Sequence, residues 1–494
     1  MTRVNDEAGR ERLAYPRGMT EYDLIVIGAG VAGENVADRA RAGGLTVVIV
    51  ERELVGGDCS YWACMPSKAL LRSAAALRAA QGVGGAREAV TGSLDVAAVF
   101  ARRDTTVHDW NDEGQVAWLD SAGIDLVRGD ARVTGERSVM VTTPDGAERE
   151  LTARHAVAIC TGSAALLPDI PGLRDAKPWT SRDATSAKHA PERLAIIGGG
   201  VVAVEMATAY AGFGTTVTVL ARSGLLGHEE PFAGELVRDG LTVLGATVRI
   251  GASPTSVERR GTGVVIELDE GSPVSADEVL VATGRVPRTA GLGLADLGLG
   301  DALTGDGWLG VDDTMLVHGT DWLYAVGDVN HRALLTHQAK YQARAAGDVI
   351  AARATGGVVD QSPWGRHVAT ADHRAIPQVT FSEPEVASVG LTEVAARDAG
   401  IEVRVVDYEI GDVGGASLHA DGYTGRARMV VDEARQVIVG VTFVGQDVAE
   451  LIQAATIAVV GEVPIDRLWH AVPAYPTMSE VWLRLLEGYR ALEL

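Results

Sequence analysis

Short apolar runs that end in glycine, each followed by a helix-forming stretch, set the rhythm of this chain. Tyr22-Asp23-Leu24-Ile25-Val26-Ile27 reads as a strand. Gly28-Ala29-Gly30-Val31-Ala32-Gly33 reads as a turn, Glu34 to Ala42 as a helix, and Leu45 to Val50 as a second strand ending at Glu51. Together they form a complete strand–helix–strand unit. The pattern returns once: strand Arg193–Ile197, turn Gly198–Ala203, helix Val204–Ala211 and strand Val217–Leu220. Between the two units, alanine and leucine from Ser67 to about Ala80 predict a helix. Residues near 94–122 also read as helical, and 125–158 as β-rich. A strand at Glu278–Ala282 closes the second unit. The apolar run Leu323–Val326 leads to a helix over 336–355. Residues 356–374 are polar and irregular and mark a boundary, after which short strands and helices alternate with their own apolar pattern.

A chain of 494 residues predicts about three domains. Its net charge of −22 argues against binding nucleic acid or an anionic membrane through bulk electrostatics. No apolar run approaches the roughly 20 residues of a membrane span. Three cysteines cannot build a disulfide scaffold, which predicts a reducing, cytoplasmic location. Residues 1–20 are charged, lack the apolar segment of a secretory signal and read as a flexible tail, with Met19 as an alternative start.

The first glycine turn follows a strand and opens a helix, the context a dinucleotide site needs. Gly28 permits the tight turn, Gly30 the approach of a pyrophosphate, and Gly33 close helix–strand packing. The helix N-terminus then faces the phosphates, and Glu51 can accept ribose hydroxyls. In the second turn, Gly198 and Gly200 repeat the motif and Ala203 takes the third place. Ala221 stands where an NAD-preferring site carries an acid, and Arg222 suits a 2′-phosphate, so NADPH is favoured over NADH.

Cys59 and Cys64 sit in Gly56-Gly57-Asp58-Cys59-Ser60-Tyr61-Trp62-Ala63-Cys64-Met65-Pro66-Ser67-Lys68. Three readings are open. Zinc would need two more ligands, and distant Cys160 alone makes a poor case. Two inert thiols are possible. A redox dithiol at the start of a helix gains a thiolate from the helix terminus. Cys160 ends an apolar strand and reads as core.

The chain resembles the flavoprotein pyridine nucleotide–disulfide oxidoreductases, the family of lipoamide dehydrogenase, glutathione reductase and mercuric reductase. The resemblance covers about residues 21–494. It rests on both glycine turns, the Cys59-to-Lys68 run, Thr161-Gly162-Ser163, Ala282-Thr283-Gly284-Arg285, Ala325-Val326-Gly327-Asp328 and Pro476-Thr477-Met478-Ser479-Glu480. It implies an α/β fold with two Rossmann-like nucleotide-binding domains and a C-terminal α+β dimerisation domain. The expected boundaries are 21–165 with 285–365 for FAD, 166–284 for NAD(P)H, and 370–494 for the interface.

FAD would be held by Gly28, Gly30, Gly33, Glu51, Gly57, Asp58, Ala131, Gly162 and Asp328, and NAD(P)H by Gly198, Gly200, Arg222 and Gly284. Cys64 would form the thiolate against the flavin and Cys59 would meet the substrate, with Lys68 and Glu205 as an ion pair nearby. In the resembling disulfide reductases a histidine precedes the Pro-Thr and acts as acid–base. Here that place holds Tyr475, while Glu480 is kept. A phenol with a reference pKa near 10 is a poor proton shuttle at neutral pH. His470, five residues away, reads as an ordinary surface or interface residue. Tyrosine here is similar to mercuric reductases, yet their C-terminal cysteine pair is missing, since no cysteine follows Cys160.

The expected activity is electron transfer from NAD(P)H through FAD and the Cys59–Cys64 pair to a small-molecule acceptor: a disulfide, a quinone, a metal ion or a specialised thiol metabolite. The alternatives are a lipoamide dehydrogenase-type subunit of a multienzyme complex and a low-turnover flavin sensor. The expected assembly is a homodimer in which the Pro476-to-Glu480 segment completes the partner's active site.

Overall fold

The computed structural model describes residues 2–5, 11–14 and 20–491, the first two as the backbone of an antiparallel pair. The rest of the expected N-terminal tail lies outside the described residues. The chain forms two compact units. One gathers Met1–Gly57, Asn111–Ala164 and Val286–Thr370; the other gathers Asp58–Trp110, Ala165–Arg285 and Ala371–Leu494.

The first unit is built on a sheet with strand order Asp125–Arg128, Val47–Glu51, Glu21–Ile27, Glu148–Ile159, Ser138–Thr142 and Asp130–Gly135. Leu323–Ala325 adds in parallel to Glu148–Ile159. The central strands run parallel, Ile25 facing Val48 on one side and Val157 on the other. Their residues are continuously apolar because both faces are covered: Leu24, Ile25, Val26, Val48 and Ile49 have no exposed surface. The helix Val31–Ala42 packs on Thr336–Thr355 at close range. A Cβ on Gly347 would come within 2.5 Å of the Arg39 Cβ, so only glycine fits that crossing.

The second unit holds a parallel sheet ordered Thr247–Ile250, Thr216–Ala221, Arg193–Ile197 and Glu278–Val281. It also holds an antiparallel sheet ordered Pro377–Thr380, Glu385–Gly390, Val437–Gly445, Gly425–Asp432 and Val403–Glu409. Phe443 and Met429 lie in the core beside that second sheet, as do Leu485 and Tyr489 of the helix Glu480–Ala491.

The stretch 94–122, read as helical throughout, is broken. Helices Val96–Thr106 and Glu113–Ala122 are separated by His108, Asp109 and Trp110, all with left-handed φ of 50–57°. Beyond the break, the Asp112 carboxylate accepts the Val55 N–H at 2.7 Å and pairs with Arg128 at 2.5 Å. Those partners fix the chain immediately after the left-handed break. The cysteine segment also differs in detail. A short helix, Gly57–Tyr61, carries Cys59, and the long helix Cys64–Gln81 starts three residues before the expected Ser67. Pro66 falls in its first turn, where the missing N–H costs nothing. Among the described residues, no helix is long and apolar enough to cross a membrane.

Candidate active site

In the first unit, the glycine turn has the form the pattern predicts. Gly28 has φ +101°, and a Cβ there would lie 2.5 Å from the Cys160 carbonyl oxygen. A Cβ on Gly33 would lie 1.9 Å from the Gly28 carbonyl oxygen, so strand and helix could not meet with any larger residue. Gly30 caps the helix Val31–Ala42, with only the Gly57 Cα within 4.0 Å of where its Cβ would be. The helix mouth is thus a cradle of backbone amides suited to a pyrophosphate. Glu51 ends its strand, its carboxylate accepting the Ala29 N–H at 2.6 Å and the Glu53 N–H at 2.7 Å. Ser163 Oγ donates to Asp328 Oδ2 at 2.5 Å. Gly162 lies in a turn with φ +70°, and Ala131 pairs with Val141 in the sheet. This donor set fits a dinucleotide.

Glu34 was not anticipated. Burial, with Glu51 close by, pushes its carboxyl up to about 7, against the opposing pull of Lys340. One of its oxygens is buried without a hydrogen bond.

In the second unit, Gly198 repeats the turn with φ +133°, and Gly200 caps the helix Val201–Gly212. Ala203 fits at the packing position and is fully buried. Arg222 is exposed at the end of the second strand, and Gly284 follows the strand Glu278–Val281 with φ +144°.

Cys59 and Cys64 are half-buried, and Cys64 is the first residue of its helix. Cys160 is buried, and desolvation pushes its thiol far up, which leaves it inert. One helical turn after Cys64, Lys68 Nζ donates to both oxygens of Glu205, at 2.9 and 2.8 Å. Glu205 is 5% exposed and also accepts the Phe381 N–H at 3.1 Å. Lys68 Nζ sits 4.9 Å from the Phe381 ring centroid. The structure therefore assembles this ion pair across two helices.

The Asp58 carboxylate, expected beside the cofactor, accepts from Arg182 Nη2 at 2.6 Å and Arg285 Nη2 at 3.4 Å. Sequence reasoning missed both arginines. The carboxylate directly before Cys59 was the signal that a countercharge was needed.

Tyr475 and Glu480, expected to serve the partner's active site, both lie beside Gly414 within this chain. Tyr475 is 77% exposed and packs against Gly414. Glu480 is buried. Its Oε1 accepts from Arg484 at 2.6 Å and its Oε2 from the Gly414 N–H at 3.2 Å, so its partners are Arg484 and backbone rather than Tyr475. His470 is exposed.

Comparison with known proteins places this arrangement. Residues 22–343 match the family described as pyridine nucleotide-disulphide oxidoreductase, and residues 376–485 match its dimerisation domain. The chain belongs to this family. It is 31% identical over 474 residues to mercuric reductase of Staphylococcus aureus, covering 93% of this chain and 81% of that enzyme. It is 34% identical over 474 residues to dihydrolipoyl dehydrogenase of Chlorobaculum tepidum, covering 93% and 95%. Two solved structures share the fold. HOCl-induced flavoprotein disulfide reductase RclA from Escherichia coli superposes with a TM-score of 0.81 at 24% identity, covering 95% of this chain and 99% of that one. LpdA from Mycobacterium tuberculosis gives 0.79 at 23%, covering 96% and 100%. The protein is therefore an FAD-dependent oxidoreductase that uses a pyridine nucleotide, and its dimerisation domain supports a homodimer.

Proposed function

We propose that this enzyme carries two electrons from NADPH through FAD and a Cys59–Cys64 dithiol to an acceptor that needs no protein proton relay, a quinone or a metal ion. The observation that carries the dithiol reading is Cys64 at a helix N-terminus with Lys68 one turn on, held by buried Glu205. The helix terminus favours a thiolate. FAD, when bound, supplies the two-electron step between nicotinamide and sulfur. Gly28, Gly30, Gly33, Glu51, Gly57, Ala131, Gly162 and Asp328 would hold it, and Gly198, Gly200 and Gly284 would hold the nucleotide. Arg222, beside uncharged Ala221, supports the preference for a 2′-phosphate. Reducing a Cys59–Cys64 disulfide consumes two electrons and two protons; re-forming it passes both electrons to the acceptor, while the two protons go to a quinone as it becomes hydroquinone or, with a metal ion, to solvent.

The acceptor reading rests on the C-terminal segment. A disulfide acceptor releases a thiolate that wants a general acid, and imidazole near neutral pKa suits that role. Here the position is an exposed phenol, and the neighbouring carboxylate is engaged by Arg484. A metal ion takes up electrons without protons and a quinone draws its two protons from solvent, so neither needs an imidazole in the Pro476-to-Glu480 segment that completes the partner's active site. The domain division 21–165 with 285–365, 166–284 and 370–494 accompanies this reading.

The test is anaerobic NADPH titration followed by an acceptor screen. A long-wavelength charge-transfer absorbance that is lost in Cys64→Ser supports the dithiol. Faster turnover with quinones than with lipoamide or glutathione disulfide supports the acceptor class, and efficient lipoamide turnover with NADH would reverse it.

A further inference from the structure

The run around the cysteines is held by a short helix, Ser181–Ser186. Arg182 on this helix donates to Asp58 Oδ1 through Nε at 3.0 Å and Nη2 at 2.6 Å. The same guanidinium lies over Trp62, 4.1 Å from the ring centroid. Three residues on, Thr185 Oγ1 donates to the Trp62 carbonyl at 2.8 Å. The grip therefore reaches the residue before Cys59 and the residue two before Cys64.

The helix is itself fixed at both ends. Thr180 and Asp183 form a reciprocal capping box at its start. At its end Arg103, with no exposed surface, donates to the Thr185 carbonyl and, at 2.7 Å, to the Ala187 carbonyl. Tyr210 OH donates to the Ala184 carbonyl at 2.7 Å. A six-residue helix anchored this heavily is a rigid support.

We propose that Arg182 is a positioning residue for the redox cysteines: it fixes Asp58 and Trp62 around Cys59 and cancels the Asp58 charge. This rests on the dithiol reading. A carboxylate next to a thiol favours the protonated form, and an unpaired Asp58 would raise the pKa of Cys59. Charges facing the segment include Asp58, Arg182 and Arg285, with Lys68 and Glu205 a turn into the following helix. The stack on Trp62 adds cation–π attraction and restrains the link between the two cysteines.

The experiment uses holoenzyme reduced anaerobically with NADPH. Iodoacetamide labelling of Cys59 is followed by mass spectrometry across pH 5.5–9.5. Arg182→Gln is expected to raise the labelling midpoint by about one pH unit and to slow labelling at pH 7 about tenfold, as thiolate fraction requires. Arg182→Lys should recover most of the shift, and Asp58→Asn with Arg182→Gln should return the midpoint to the wild-type value. Should Arg182→Gln fail to fold, Asp58→Asn alone is expected to lower the midpoint. A wild-type profile in Arg182→Gln, a double variant as shifted as the single, or an unmoved midpoint in Asp58→Asn overturns the assignment. Wild-type enzyme without NADPH-dependent label on either cysteine overturns the dithiol reading, and the positioning role with it.

Discussion

Tyr475 stands where the disulfide-reducing relatives carry a histidine, and the chemistry of that exchange extends to its neighbours. The carboxylate that would orient an imidazole, Glu480, already accepts from Arg484 and from the Gly414 amide. A histidine placed at 475 would therefore meet a carboxylate whose charge is partly cancelled. Tyr475→His alone is expected to raise kcat/KM for lipoamide or glutathione disulfide less than tenfold. Combining it with Arg484→Leu, which frees Glu480, is expected to add at least another tenfold. Steady-state kinetics of the two variants against wild type decide this, and a large gain from the single change would show that Arg484 does not matter. Tyr475→Phe should leave quinone rates within twofold, since a phenol with a reference pKa near 10 takes no part in proton transfer at neutral pH.

At the scale of elements, the cysteine helix and the helix Val201–Gly212 are tied by Lys68 and Glu205. Glu205 is nearly inaccessible, so Lys68→Met leaves a buried carboxylate with only the Phe381 amide for a partner. Loss of one member of such a pair costs about 3 kcal/mol, whereas replacing both with apolar side chains costs much less. Chemical denaturation should therefore show Lys68→Met clearly destabilised, with Lys68→Met/Glu205→Met nearer to wild type.

The strand Glu385–Gly390 carries a pH-dependent element of its own. Burial, reinforced by Asp447, pushes the Glu385 carboxyl up to about 7, although the Ala449 N–H opposes the shift. A carboxyl raised on folding binds more protons in the native state, so its contribution is most favourable below the unfolded pKa and is lost as pH rises through about 7. Glu385→Gln should remove about 2 kcal/mol of this pH-dependent loss between pH 5 and pH 8, read as the difference from wild type in denaturation at the two pH values.

Across the whole molecule, what the sequence revealed and what it hid follow from contact range. Both glycine turns were legible because their chemistry is local: strand, turn and helix lie within a dozen residues. Lys68 and Glu205 are 137 residues apart and were paired only through family resemblance, while Asp58 and Arg182, 124 apart, were not paired at all. Charged residues are too common for a long-range partner to be read from composition. The left-handed break at His108–Trp110 was hidden for a similar reason, since the partners of Asp112 just beyond it, Val55 and Arg128, lie in other segments.

The largest assembly question is also a range question, because it reaches beyond one chain. Within the region matched to the dimerisation domain, Ile457 is 60% exposed and Val472 is 83% exposed. Ile457 lies on the helix Ile452–Val460, whose opposite side, with Ala455 and Val459, is buried in the core. Outward apolar residues in a region of this class fit burial against a second copy, and a charge placed among them would be desolvated without a partner. Ile457→Arg is expected to convert the dimer into a species of 51.7 kDa by sedimentation. If the C-terminal segment of one subunit completes the active site of the other, that monomer should retain bound flavin and its reduction by NADPH while turnover with the acceptor falls at least tenfold. Turnover at the wild-type rate in a proven monomer would show that each chain holds a complete site, and the role assigned to the Pro476-to-Glu480 segment would be lost.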